Sequence, residues 1–174
     1  LAIFWRKGGV FLRAVIMAGG EGTRLRPLTC NLPKPMVPIL HAPMMEHIVN
    51  LLKRHDFSRI ACTLWYLPQD VMDYFQDGAD LGVQMEYYVE TTPLGTAGSV
   101  KSASQSFQET FLVVSGDALT DIDLTSAIQF HKSRKAVATL ILTSVPNPLS
   151  YGVVLTNEDG RIRQFLEKPS WSQV

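Results

Sequence analysis

The chain has 174 residues, of which 46% are hydrophobic and 18% are charged; this is the composition of a globular domain with a sizeable core and excludes a largely disordered chain. Its 16 basic and 16 acidic residues balance, so no general nucleic-acid or anionic-membrane binder is expected. No apolar run reaches the roughly 18 residues that cross a bilayer, and charge comes after the first apolar residues, in the reverse order of a signal peptide. We therefore expect a cytoplasmic protein.

Strand and helix patterns alternate along the chain. Residues 1–11 differ in character from the rest of the chain, and we interpret them as a non-native or mis-set extension ahead of a domain at 12–174. The periodicity predicts strands at 14–18, 59–67, 83–89, 111–115 and 136–143, helices at 43–55, 69–75, 96–106 and 124–133, and a final strand pair at 152–156 and 162–166. At least four alternations are typical of an α/β fold with a mostly parallel sheet.

Several residues that often carry chemistry are assigned structural roles. Cys30 and Cys62 are too few for a disulfide framework or a four-cysteine zinc site, and both are expected to be reduced core residues. The histidines show no metal-ligand spacing, and His47 is expected to be a packed or surface residue. No stacking platform is recognisable at the three tryptophans, Trp5, Trp65 and Trp171.

Three loops lie beyond the carboxyl ends of the predicted strands, where open α/β sheets bind ligands. They span residues 19–34, 90–98 and 115–121. The sequence therefore places a candidate binding site at the edge of the sheet that these loops share.

The first of these loops is rich in glycine. Gly19, Gly20 and Gly22 permit positive φ angles and close approach, so their N–H groups can line a site for phosphate oxygens. Two familiar loops are excluded. A P-loop ends in Gly-Lys-Ser/Thr, which is absent here, and a dinucleotide fingerprint needs a glycine where Leu25 stands. A plain strand-to-helix turn is the structural alternative.

Basic residues in the same loop favour an anion site. Arg24, Arg26 and Lys34 lie within eleven residues, and only Glu21 lies close by with the opposite charge. Pro33 and Pro35 stiffen the backbone on both sides of Lys34, so its side chain is presented in a defined direction. We predict that Arg24 and Lys34 bind phosphate, while for Arg26 a solvated surface position is an equal alternative.

An aspartate comes directly after the predicted strand at 111–115 and one glycine. A carboxylate at this end of a strand is well placed to hold Mg²⁺, which takes one or two carboxylates together with phosphate oxygens. We predict this role for Asp117; a turn-capping aspartate is the structural alternative. Asp121 is a weaker candidate, and Asp123 is interpreted as the N-cap of the next helix.

Taken together, the motifs resemble those of the sugar-1-phosphate nucleotidylyltransferases. The resemblance is carried by Gly19-Gly20-x-Gly22-Thr23-Arg24-Leu25-x-Pro27-Leu28-Thr29, Pro33-Lys34-Pro35-Met36, Gly95-Thr96-Ala97-Gly98, Ser115-Gly116-Asp117, Tyr151-Gly152-Val153-Val154 and Phe165-Leu166-Glu167-Lys168-Pro169. It is strongest to the bacterial mannose-1-phosphate guanylyltransferase branch, in the form fused to a phosphomannomutase-like domain. It implies a Rossmann-like three-layer fold with a mostly parallel mixed sheet, of which this chain carries an N-terminal fragment.

The resemblance also implies a reaction and a set of residues. A nucleoside triphosphate and a sugar 1-phosphate are joined with release of pyrophosphate. Arg24, Lys34 and Asp117 are catalytic, and Asp117 also holds Mg²⁺ or another divalent cation. The positions implied to bind nucleotide are Ala18, Gly19, Gly20, Gly22, Thr23, Glu90, Gly95 and Thr96. Those implied to bind the sugar phosphate are Gly152, Glu167 and Lys168.

The choice of base is argued from Glu90. A carboxylate accepts hydrogen bonds only, and guanine offers two donors on its Watson–Crick edge, so Glu90 favours GTP; a strand-end glutamate facing water is the alternative. Mannose 1-phosphate is implied by the branch resemblance alone. Glucose 1-phosphate with dTTP, UTP or ATP, and heptose 1-phosphate with GTP, stay open.

Two further expectations concern the whole chain. The resemblance implies a second metal-binding aspartate late in the domain, and no candidate exists here, so we expect the chain alone to be inactive or nearly so, and a homo-oligomer only at full length. A non-catalytic nucleotide-sugar-binding regulatory module is the alternative. A nicotinamide-dependent dehydrogenase is rejected because of Leu25 and because Leu67 and Pro68 stand where an acidic residue belongs.

Overall fold

The computed structural model describes residues 1–4 and 12–173. The chain divides into two units, Leu1–Ile141 and Leu142–Val174. Among the described residues, no helix is both long enough and apolar enough to cross a membrane.

The first unit alternates strands and helices, as the periodicity predicts. Its strands are β1 (Ala2–Phe4), β2 (Leu12–Met17), β3 (Pro38–Ile39), β4 (Ala42–Pro43), β5 (Phe57–Leu64), β6 (Gln84–Val89), β7 (Phe111–Ser115) and β8 (Ala138–Leu140). Its helices are α1 (Met44–Arg54), α2 (Pro68–Phe75), α3 (Gly95–Ala103) and α4 (Leu124–Arg134).

Six strands form one sheet in the order β6-β5-β2-β7-β1-β8. The central strand β2 pairs in parallel with both β5 and β7, so that Ala14 lies opposite Ile60 on one side and Leu112 on the other. β5 pairs in parallel with β6, and only β1 runs antiparallel to its neighbours. The predicted mostly parallel α/β sheet is confirmed. The carboxyl ends of β7, β2, β5 and β6 therefore lie side by side.

Helices cover both faces of the sheet and bury its alternating side chains. Ala14 and Ile16 of β2 pack into a large cluster with apolar residues of α1, α2 and α4. Val15 points to the opposite face, where Phe107 and Ala103, the last residue of α3, belong to a smaller cluster. The sheet thus forms the middle of three layers, which is why β2 is apolar almost without interruption.

The start of α4 is set by a side-chain cap. Asp123 Oδ1 accepts hydrogen bonds from the backbone N–H groups of Thr125 and Ser126 at 2.9 and 3.1 Å. These N–H groups have no partner inside the helix, so the carboxylate satisfies them. The interpretation of Asp123 as an N-cap is confirmed.

The first residues of the chain take part in the sheet, although their composition set residues 1–11 apart from the predicted domain. Ala2–Phe4 forms β1 between β7 and β8, and Ile3 is 1% exposed. A short apolar segment with a β-branched residue suits a pleated, buried position. Its pairing partners lie more than a hundred residues away, so no local pattern reveals them. Residues 5–11 lie outside the described part of the chain.

Several other expectations differ from the structure. α3 ends at Ala103, three residues earlier than predicted. β5 ends at Leu64, three residues earlier than predicted, because the chain turns there toward α2, which begins with Pro68. The predicted strand at 136–143 is reduced to Ala138–Leu140. Cys30 is exposed in the glycine-rich loop, so its assignment to the core is wrong, whereas Cys62 is buried in β5 and burial raises the pKa of its thiol.

The second unit is an antiparallel strand pair, β9 (Gly152–Thr156) and β10 (Ile162–Glu167). Its turn is closed by hydrogen bonds from the N–H of Asn157 to the carbonyl of Arg161 and from the N–H of Gly160 to the carbonyl of Asn157. Both strands lie within a residue of their predicted bounds, so this prediction is confirmed.

Candidate functional site

A cleft of about 380 Å³ lies at the carboxyl ends of the parallel strands. All three loops that the sequence singled out contribute to it. Its lining residues are Met17, Ala18, Gly19, Gly20, Lys34, Pro35, Thr63, Trp65, Glu90, Pro93, Gly95, Thr96, Ser99, Ser115 and Asp117. Because β7, β2, β5 and β6 are neighbours, the cleft runs along the sheet edge from Asp117, past Gly19 and Trp65, to Glu90.

The glycine-rich loop is folded back on itself around Gly22. This residue has φ +64°, in the region that favours glycine, and a Cβ there would lie 2.9 Å from the Cβ of Lys34 and 3.1 Å from the methyl of Thr29. The Thr29 hydroxyl donates a hydrogen bond of 2.8 Å to the carbonyl of Gly22, and Thr29 is fully buried. The loop therefore packs against the stem of Lys34 and holds it in place.

A tyrosine connects this loop to the neighbouring strand. The hydroxyl of Tyr66, two residues after β5, lies 3.1 Å from the carbonyl oxygen of Thr29 and 2.9 Å from that of Cys30, to which it donates. The sequence motifs assigned no separate role to Thr29 or Tyr66. Nothing in the sequence reveals the Tyr66 contact, since the partners are 36 and 37 residues apart.

The strongest charge interaction in the cleft joins two residues predicted to be catalytic. The Lys34 ammonium donates a very short hydrogen bond to the Asp117 carboxylate, whose other oxygen accepts one from the Ser115 hydroxyl. Burial alone would raise the pKa of Asp117, but these two hydrogen bonds and the positive charge of Lys34 outweigh it and hold that pKa below its usual value. Asp117 is therefore ionised at neutral pH.

Close packing of the backbone brings Asp117 to this position. The N–H of Gly116 donates to the carbonyl of Met17 at 2.8 Å, and a Cβ on Gly116 would lie 3.2 Å from the Cβ of Ala18. The chain then turns, with the N–H of Ala118 donating to the carbonyl of Ser115 at 3.2 Å. Gly116 thus allows the ends of β7 and β2 to approach closely.

The donor set suits a cation that is shared with phosphate. Asp117 supplies one carboxylate, Ser115 adds a hydroxyl, and the part of the chain that the structure describes holds no group of three or more His, Cys, Asp or Glu that could form a cage. Mg²⁺ commonly binds through one or two carboxylates plus phosphate oxygens. Asp117 and Ser115 are the side chains of the cleft that could hold such an ion.

Arg24 and Thr23 lie apart from the cleft lining. Both are exposed on a short 3-10 turn, Thr23–Leu25, and neither they nor Gly22 are among the residues that line the cleft. Arg26 is also exposed and lies 3.5 Å from Glu21 in an ion pair, as expected for a solvated surface position. Of the two predicted catalytic cations, the structure brings only Lys34 together with Asp117.

Glu90 lines the other end of the cleft, at the end of β6. One of its carboxylate oxygens accepts a hydrogen bond of 2.9 Å from the N–H of Leu94, and its own N–H donates to the carbonyl of Leu64. The carboxylate thus shapes the loop that leads to Gly95 and Thr96, both of which also line the cleft. One oxygen holds this loop, and the second, which has no hydrogen-bond partner among the described residues, can accept from a ligand in the cleft.

Trp65 also lines the cleft, although no platform is recognisable there in the sequence. Its Cβ lies 3.4 Å from where a Cβ on Gly19 would be, and its side chain is half-buried. Only the strand order reveals this role, because Gly19 and Glu90 lie at the ends of β2 and β6, which flank β5.

The three predicted sugar-phosphate residues come together within the second unit. Glu167 lies opposite Gly152 in the register of β9 and β10, and a Cβ on Gly152 would meet a Glu167 carboxylate oxygen at 3.3 Å. The N–H of Lys168 donates to the carbonyl of Tyr151 at 3.1 Å, with Lys168 at φ +42°. Gly152 therefore leaves room for the Glu167 side chain.

Comparison with known proteins gives consistent results. Residues 13–174 match the profile of the nucleotidyl transferase family. The chain is 42% identical over 173 residues to a UTP–glucose-1-phosphate uridylyltransferase of Synechocystis sp., covering 91% of this chain and 45% of that protein. It is 38% identical over 156 residues to a mannose-1-phosphate guanylyltransferase of Mycobacterium tuberculosis, covering 89% of this chain and 44% of that protein. The chain thus spans about half the length of the curated relatives it matches.

Solved structures show the same fold. A Bacillus anthracis structure described as a putative glucose-1-phosphate thymidylyltransferase, in complex with a sucrose, superposes with a TM-score of 0.83 at 28% identity, covering 91% of this chain and 65% of that one. HddC from Yersinia pseudotuberculosis, complexed with GMP-PN, superposes with a TM-score of 0.73 at 26% identity, covering 92% and 71%. Both support a three-layer α/β arrangement for the first unit.

Proposed function

This chain belongs to the nucleotidyl transferase family, and on that premise we propose that it carries the nucleotide-binding half of a sugar-1-phosphate nucleotidyltransferase. In the proposed reaction an oxygen of the sugar phosphate attacks the α-phosphorus of a nucleoside triphosphate. A new P–O bond forms, the bond to the β-phosphate oxygen breaks, and pyrophosphate leaves with the electron pair. No covalent intermediate with the protein is needed.

One observation carries the proposal: the ionised Lys34–Asp117 pair lies in the cleft that the glycine-rich loop borders. Two polyanions must meet there, so positive charge and backbone donors are needed. Lys34 supplies a point charge, and Gly19 and Gly20 let the nucleotide approach the backbone. Asp117 would hold Mg²⁺, which neutralises phosphate charge when bound. Arg24 would have to swing in from its exposed turn to contribute a bidentate contact.

For the base we propose guanine, on the evidence of Glu90. Its second carboxylate oxygen can accept hydrogen bonds from the donors of the guanine edge, and the Yersinia neighbour was crystallised with GMP-PN. For the sugar we propose mannose 1-phosphate, since several relatives carry that activity in their names. The name of the Synechocystis relative favours UTP with glucose 1-phosphate as the second candidate.

Pyrophosphate release measured over a panel of triphosphates and sugar 1-phosphates tests the proposal. We expect GTP with mannose 1-phosphate to be the preferred pair, and turnover by this chain to fall well below that of the full-length Mycobacterium relative. Calorimetry with Mg·GTP accompanies the panel. If both proteins bound a triphosphate and neither released pyrophosphate, a regulatory module would be favoured. If this chain bound no triphosphate at all, the proposal would be overturned.

The role of Glu90 is tested by Glu90→Gln. An amide presents a donor as well as an acceptor, so we expect the preference for GTP over UTP to fall about tenfold, the effect of roughly one charge-assisted hydrogen bond. The matched control is Glu86→Gln, an exposed glutamate of β6 outside the cleft. An unchanged preference in Glu90→Gln would remove Glu90 from base recognition.

A further inference from the structure

Trp65 stands between the two functional ends of the cleft. At the carboxyl edge of the sheet the order of strands is β7, β2, β5, β6, and the residues just beyond them are Asp117, Gly19, Trp65 and Glu90. Neighbouring strands are about 4.8 Å apart, so Asp117 and Glu90 are separated by roughly 14 Å along this edge. An extended nucleoside triphosphate is of similar length.

The two ends differ in chemistry, and this difference orients such a ligand. At one end, the ammonium of Lys34 and the N–H groups near Gly19 and Gly20 suit phosphate oxygens. At the other end, Glu90 accepts hydrogen bonds and would repel phosphate. The part of the ligand that passes over β5 is then the nucleoside.

The indole is suited to that position. Trp65 is half-buried and lines the cleft, and its Cβ lies beside Gly19, where a Cβ added to the glycine would come within 3.4 Å of it. Trp65 is the one aromatic residue among the described residues that line the cleft. A base or ribose placed on this ring would lose its contact with water, and base–aromatic stacking is effective for every base because each has a π-face.

We propose that Trp65 is a nucleoside-binding residue, on whose indole the base of the triphosphate stacks while Glu90 contacts the edge of that base. This inference rests on the proposed function and adds a specificity-determining contact to it. A two-ring purine covers more of an indole than a pyrimidine does, so Trp65 favours purine nucleotides independently of the hydrogen bonds of Glu90.

The test compares GTP with inorganic tripolyphosphate, which has the phosphates but no base. Affinities are measured by calorimetry in magnesium buffer for the parent chain, Trp65→Leu and Trp65→Phe. The matched control is Trp171→Phe, an exposed tryptophan of the second unit. We expect Trp65→Leu to weaken GTP binding about tenfold or more and Trp65→Phe to weaken it less. Tripolyphosphate should bind all four proteins alike.

Quenching of tryptophan fluorescence by GTP is a second measurement, and it does not require Trp65→Leu to fold. GTP should quench the parent chain and Trp171→Phe, and the quenching should be lost in Trp65→Phe. Equal GTP affinity in the parent and Trp65→Leu, or quenching that persists in Trp65→Phe, would overturn the inference while leaving the proposed function standing. An equal loss of GTP and tripolyphosphate binding would also overturn it, because the contact would then lie with the phosphates. Failure of the parent chain to bind GTP would overturn this inference and the choice of guanine, whereas failure to bind any triphosphate would overturn the proposed function itself.

Discussion

At the scale of single residues, the glycine-rich loop depends on Gly22 in two separable ways. Its φ of +64° costs any other residue backbone energy, and its Cα also faces the stem of Lys34. The backbone energy cost is common to all positive-φ positions. The contact with Lys34, in contrast, involves a residue that we propose to bind phosphate. A second glycine that has a positive φ but no neighbouring side chain shows the backbone energy cost alone.

We expect Gly22→Ala to lower the free energy of unfolding by about 1–2 kcal/mol, as expected for an L-residue in the left-handed region, and to displace Lys34 from Asp117. The control is Gly160→Ala, at φ +82° with nothing within 4 Å of an added Cβ. Both variants should lose stability in urea titrations. Only Gly22→Ala should lose affinity for GTP, and retained affinity would contradict the proposed contact with Lys34.

A second residue-scale prediction concerns His131, which is fully buried in α4. Its Nδ1 lies 2.8 Å from the Thr139 hydroxyl, and its Nε2 has no hydrogen-bond partner among the described residues. Burial, and secondarily the charge of Lys132, lowers its pKa. The unfolded chain therefore binds a proton more readily than the folded one. The contribution of neutral His131 to the free energy of unfolding is therefore fully present above about pH 6.5. It is lost as the pH falls toward the lowered pKa of the folded state.

The measurement is the free energy of unfolding in urea at pH 7.5 and 5.5. We expect the parent chain to be less stable at the lower pH, and His131→Gln to show a smaller difference between the two. His41→Gln, at an exposed position of the β3–β4 hairpin, serves as the control and should keep the dependence of the parent. An identical pH dependence in His131→Gln and the parent would show that folding does not lower the pKa of His131.

At the scale of elements, the glycine-rich loop is held to the sheet from outside by Tyr66. We expect Tyr66→Phe, which removes only the hydroxyl, to weaken GTP binding about fivefold, the worth of one net hydrogen bond, and to speed amide exchange within residues 22–30. The control is Tyr87→Phe, whose hydroxyl donates to the carbonyl of Gln76 at 2.6 Å, away from this loop.

The two variants should lose similar thermal stability, because each removes one tyrosine–carbonyl hydrogen bond. Faster exchange confined to residues 22–30 in Tyr66→Phe would identify Tyr66 as a positioning residue for the loop. Equal changes in exchange and GTP affinity in both variants would leave it with a structural role only.

Elements that depend on local periodicity were predicted closely. The strand Phe111–Ser115 has its predicted bounds, and α1 and α4 lie within a residue of theirs at both ends. Strand ends that are set by tertiary contacts differ from their predicted positions. β8 keeps only Ala138–Leu140, because its hydrogen bonds are limited by the three residues of β1. The hairpin of β3 and β4 has two residues in each strand, too few for any pattern.

At the scale of the whole molecule, β1 joins β8 to the rest of the sheet. Ile3 is buried in the larger core cluster, so we expect Ile3→Ala to lower the free energy of unfolding by about 2–4 kcal/mol, as for other buried large-to-small substitutions. The control is Ile162→Ala, whose side chain in β10 is partly exposed, and it should cost less. Urea midpoints measure both. An Ile3→Ala variant as stable as the parent would show that the segment Ala2–Phe4 does not stabilise the fold.

The class of fold and the edge of the sheet at which the cleft lies follow from the sequence, as do several of the residues that line the cleft. Alternating periodicity and a glycine-rich loop with Lys34 are local features, visible in neighbouring residues. Only the folded chain reveals that Lys34 pairs with Asp117, 83 residues away, that Arg24 lies outside the cleft, and that Trp65 faces the cleft. It also places Ile3 in the core and Cys30 at the surface. These outcomes depend on strand order, and strand order is set by the burial of the whole sheet rather than by any one segment.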